Sequence, residues 1–167
     1  MLRFANLMIV MSVVLAASPS AASQDTRPLF SHLQQVILER EPNWTIQRKV
    51  SSNSTHMSIY LKSGKNRIAL MVEILPSDKE AAGMFESWNR ELSDPSLQTP
   101  MESKHVKISL PALGDQNYLW TYKSRAASIL FQQNNAFVMV TGTSDLAVRR
   151  FAQLVSDQLG HITMACS

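Results

Sequence analysis

The feature that most narrows the fold is a pair of alternating segments that turn back on themselves. In Met57–Lys62, the side chains of Met57, Ile59 and Leu61 share one side, while Ser58, Tyr60 and Lys62 share the other. Successive strand side chains face opposite ways, so a period of two marks a half-buried β-strand. Ser63-Gly64-Lys65 is a turn, and Asn66–Leu75 returns with Ile68, Leu70, Val72 and Ile74 on one face. The design recurs at Ala127–Gln132 and Ala136–Thr141, joined across Asn134-Asn135, residues that tolerate positive φ. One clean apolar face per strand predicts an antiparallel sheet covered on one side.

Helical periodicity supplies the cover. Phe30, Leu33, Val36 and Ile37 recur at helical spacing from Pro28 to about Arg40, and Glu41-Pro42 ends that helix. Ser77-Asp78-Lys79-Glu80 fits a capping box ahead of the stripe Ala81, Met84, Phe85, Trp88 and Leu92. Ser144-Asp145 opens a last helix lined by Val148, Phe151, Leu154, Val155 and Leu159, with Gly160 as its expected stop. Shorter strands are expected at Thr45–Val50, His105–Leu110 and Asn117–Lys123. The expected order is α-βββ-α-ββββ-α, an α+β fold with an antiparallel sheet of about six to seven strands covered by helices. Ser54-x-x-x-Ser58-Ile59 and Ser124-x-x-x-Ser128-Ile129 each open a strand, turn near an asparagine and reach Ser-Asp before a helix. This favours two similar hairpin-and-helix halves sharing one sheet.

The first residues read differently. Arg3 precedes the apolar run Leu7–Ala17, and small residues follow in Ser18–Ser23. A basic start, an apolar stretch of roughly 7–15 residues and a small-residue junction make a secretory signal. Crossing a bilayer takes about 20 apolar residues, so this run is too short to span. The expectation is a cleavable signal at 1–23, then a single soluble domain at 24–167 with short loose termini. The compartment is then periplasmic or extracellular, with a bacterial periplasm favoured, and no stable membrane insertion follows cleavage.

Charge and cysteine exclude several classes. Of 16 basic side chains only Arg3 lies in the signal, so 15 face 13 acids in the remainder. That is too even for a nucleic-acid footprint. Cys166 stands alone, which rules out an internal disulfide framework and paired cysteine ligands. His32, His56, His105 and His161 are scattered without metal spacing. The chain lacks HExxH, Gly-x-Ser-x-Gly and the glycine-rich phosphate loops, so no cofactor is implied. Glu73 and Asp115 are isolated acids. Asn43-Trp44-Thr45 and Asn53-Ser54-Thr55 match the glycosylation triplet, which matters only in a eukaryotic secretory route.

Two surface candidates are left. Tyr118, Trp120 and Tyr122 share one face of a strand, as a platform for a ligand if outward and as core if inward. Lys62, Lys65 and Arg67 cluster at one hairpin, with Lys123 and Arg125 near the next. They form either a rim for an anion or the charged protection of an exposed sheet edge.

The stretch LGDQNYLW…SILFQQNNAFVMVTG and the preceding VEILPSDKEAAGMFESW resemble bacterial secreted and envelope modules of unknown function. In such modules a Leu-Gly-Asp turn and an aromatic strand lead into a hairpin and a final helix. The resemblance covers roughly Asn66 to Leu159 and implies no catalytic residue. The expected function is a non-enzymatic binding or interaction module for a protein, glycan or small apolar ligand. Two alternatives stand beside it: an enzyme whose dispersed site joins His56 or His105 to Glu73 or Asp115, and a carrier holding an apolar ligand between helices and sheet.

Overall fold

The computed structural model describes residues 26–49, 54–94, 106–110, 113–121 and 126–165. The expected signal, His105, Tyr122, Lys123, Arg125 and Cys166 lie outside them. Helix α1 (Arg27–Arg40) leads into strands β1 (Thr45–Lys49), β2 (His56–Ser63) and β3 (Asn66–Ile74), followed by helix α2 (Asp78–Ser93). Strands β4 (Val106–Ile108), β5 (Gln116–Thr121), β6 (Ala127–Gln133) and β7 (Ala136–Gly142) come next, and helix α3 (Asp145–Ala165) closes the fold. All seven strands form one antiparallel sheet in the order β1-β2-β3-β7-β6-β5-β4. The α+β architecture is as expected.

Each half of the sheet grows from an edge toward the centre, where β3 meets β7. Both hairpins have a two-residue loop with positive φ at its first position, +57° at Gly64 and +52° at Asn134. Such a turn matches the twist of the flanking strands. Ile59 and Ile129 are fully buried on one face, and Ser58 and Ser128 are buried on the other. The hairpins therefore repeat.

Their helices do not. Phe30, Leu33 and Ile37 of α1 and Val148, Phe151 and Val155 of α3 pack on the face carrying Ile59, Leu70, Ile129 and Val140. Phe85 of α2 packs on the opposite face, against Met71, Trp120, Leu130 and Phe137. The expectation of a sheet covered on one side is corrected: helices lie on both sides, with β6 and β7 held between α2 and α3. Every residue from Ala127 to Gln132 is buried. Strands buried on both faces read as continuous apolar runs rather than alternations, and Ile129-Leu130-Phe131 is such a run.

Local chemistry sets the ends. The Ser77 hydroxyl accepts the Glu80 N–H at 3.2 Å and lies 3.2 Å from the Glu80 carboxylate, so the cap forms. Gly160 does not end α3, which continues to Ala165. An isolated glycine costs a helix only about 1 kcal/mol and keeps helical φ where packing holds it. Glu41, buried just past α1, is paired with Arg150 on α3, and this joins the two helices of that face.

Candidate functional site

Because α2 lies over β6 and β7, among the described residues much of the β2–β3 side of that face has no helix over it. The result is a groove of about 320 Å³ between the end of α2 and the open sheet. Its floor carries Ala69 and Met71 on β3 and Met139 on β7, and its wall is Trp88 and Leu92, one helical turn apart on α2. Trp88 stacks on Phe137 with centroids 6.5 Å apart, which fixes where the wall stands. Ser58, Tyr60, Ser128 and Thr141 add hydroxyls to the lining. Ser128 and Thr141 satisfy each other at 3.0 Å. An apolar trough with a few placed polar groups is the usual form of a small-molecule site.

One end of the groove is basic. At the hairpin end Lys62 and Arg67 are cross-strand partners on the groove face, and both line it. Arg48 pairs in register with Tyr60 and adds a third cation nearby. Partial burial raises the Tyr60 hydroxyl above its usual pKa of 10.0, with Arg48 pulling the other way. Outside the groove on the same face, six residues along β2 from Lys62 and about 20 Å away at strand rise, stands His56. Its Nδ1 is 3.3 Å from the Glu73 carboxylate and its Nε2 is 3.0 Å from Ser58 Oγ.

The remaining sequence candidates fall elsewhere. Trp120 is buried beneath α2 and Tyr118 stacks on Phe85 at 5.4 Å, so neither ring forms an open platform. Three strand spacings from Arg67 and four from Lys62, about 14–19 Å, separate them from the basic hairpin on the same face. Lys65 is exposed at the hairpin tip. Asp115 braces a turn: it accepts the Asn134 N–H at 2.6 Å, while its own N–H donates to the Gln132 carbonyl. His32 meets Gln158 between α1 and α3. Among the described residues no group of three His, Cys, Asp or Glu could hold a metal, and no helix is long and apolar enough to cross a membrane.

A ligand held between helices and sheet was one of the alternatives the sequence left open, but of the residues that line this groove only Lys62 and Arg67 were surface candidates there. The structure closes this hairpin in two residues, Gly64-Lys65, where Ser63-Gly64-Lys65 was expected as the turn, and that register sets Lys62 against Arg67 and His56 against Glu73. Trp88, Leu92 and Met139 carried no signal of a groove, because only the course of α2 brings them to β3. Compared with family models, curated proteins and solved structures, the chain finds no significant match in any of the three.

Proposed function

We propose that this chain is an exported, non-enzymatic binding module whose site is the groove between α2 and the open β2–β3 side of the sheet. The observation that carries the reading is the groove itself: about 320 Å³ with a floor and wall of methionine, alanine, leucine and tryptophan. Such a volume suits a small apolar ligand. This unites the binding-module expectation with the carrier alternative, and the export part rests on the signal-like residues 1–23. Binding of the neutral dye N-phenyl-1-naphthylamine, followed by its fluorescence, tests it. Saturable enhancement that Ala69→Phe abolishes is the expected result. Enhancement unaffected by filling the groove would sink the proposal.

One observation favours a second reading. Ser58, His56 and Glu73 form a hydrogen-bonded series with the order of an acyl-transfer triad. Against it, strand N–H groups lie in the sheet plane, perpendicular to the side chains. They therefore do not converge above Ser58 to stabilise an oxyanion. Fluorophosphonate labelling lost in Ser58→Ala would establish the enzyme reading, and unlabelled native protein would end it.

A further inference from the structure

The groove has a polarity that its apolar floor does not explain. Lys62 and Arg67 stand directly opposite each other on neighbouring strands, an arrangement that like charges disfavour. Among the described residues the ion pairs are His56–Glu73, Arg149–Asp145 and Arg150–Glu41, so no acid separates the two cations. Protection of a sheet edge is the ordinary use of such residues. Here that role falls to β1, because β2 and β3 are both paired on either side. On this face Glu73 lies outside the groove and has His56 as its partner. An anion is thus favoured at the hairpin end of the groove.

Resting on the groove reading above, we infer that the ligand is a free fatty acid. Its carboxylate is held between Lys62 and Arg67, and its single chain lies over Ala69, Met71 and Met139 against Trp88 and Leu92. Size suits one chain. A groove of 320 Å³ lies at the lower end of the range for small-molecule sites, and a single alkyl chain is the occupant proposed. Arg48 and the Tyr60 hydroxyl lie beside the head group and add a further cation and a donor.

The test uses calorimetry of the purified protein with dodecanoate, dodecanol and dodecyltrimethylammonium, each below its micellar concentration. Dodecanoate is expected to bind one to one, roughly tenfold tighter than dodecanol, with the ammonium weakest. Lys62→Gln and Arg67→Gln each weaken dodecanoate about fivefold, the scale of a partly exposed ion pair, and leave dodecanol unchanged. Ala69→Phe removes dodecanoate and dodecanol binding alike, and Met139→Trp serves if that variant does not fold. Equal affinity for dodecanol and dodecanoate, or dodecanoate binding indifferent to both charge variants, overturns the head-group assignment and leaves the groove reading standing. If no amphiphile binds the native protein, or if filling the groove changes nothing, both fall together.

Discussion

The Trp88 and Phe137 rings lie nearly parallel, 13° apart in plane and 6.5 Å apart in centroid. One ring is on α2 and the other on β7, so the stack anchors the helix over the second hairpin rather than the first. The same indole that completes a core therefore forms the wall of the groove.

Removing that wall has two expected effects. Trp88→Ala loses a half-buried aromatic and costs about 2–3 kcal/mol, somewhat below a fully buried tryptophan. It also widens the groove, so dye affinity falls even at temperatures where the variant is fully folded. Urea denaturation and dye titration measure the two separately.

The close approach of α3 to the sheet depends on a missing side chain. A Cβ at Gly142 would stand 2.7 Å from the Arg67 carbonyl oxygen and 2.9 Å from Val148 Cγ2. The carbonyl belongs to a paired strand and cannot swing away. Gly142→Ala should lose about 1–3 kcal/mol by overpacking, read as a lower urea midpoint. Gly83→Ala, with open space at its Cβ, gives no loss and serves as the control.

Arg149 and Arg150 are neighbours with unequal duties. Arg149 pairs with Asp145 one turn away on an exposed surface, at about 40% exposure for each side chain (39% and 44%). Arg150 reaches Glu41, whose side chain is only 10% exposed. Arg149→Ala should cost no more than about 0.5 kcal/mol. Arg150→Ala leaves a buried carboxylate without its cation and should cost about 1–2 kcal/mol, discounted because the arginine itself is solvated. Glu41→Gln in the Arg150→Ala background should recover part of the loss. A double-mutant cycle checks all three values.

Tyr60 provides an alkaline signature. Partial burial penalises its phenolate more than Arg48 favours it, so the folded-state pKa lies above 10.0. A raised pKa stabilises the fold fully below the unfolded value, and that contribution is lost as pH rises through the folded one. The window therefore opens near pH 10 and extends upward. Titration at 295 nm should show a late-ionising component that Tyr60→Phe removes. Dodecanoate in the groove should delay it further, because the chain excludes water and the carboxylate opposes a second negative charge.

Much of the architecture was legible in the chain. Period-two alternation marked β2 and β3, helical stripes marked α1, α2 and α3, and Ser77 marked the start of α2 through its cap. The turn at Gly64 was marked as well, while its two-residue length, which brings Lys62 to Arg67 and His56 to Glu73, came from the structure. The features marked in the chain are local, so backbone geometry and side-chain spacing suffice to write them.

What the chain alone left open was which face each helix covers. A stripe of apolar residues records that a helix must be buried, but the hydrophobic effect is non-directional and names no partner. Tertiary packing placed α1 and α3 on one side of the sheet and α2 on the other. That choice buried Trp120, stacked half-buried Tyr118 on Phe85 and opened the groove over Ala69. It also placed the Lys62–Arg67 pair, fixed by a two-residue turn, at one end of an apolar trough that no local pattern describes.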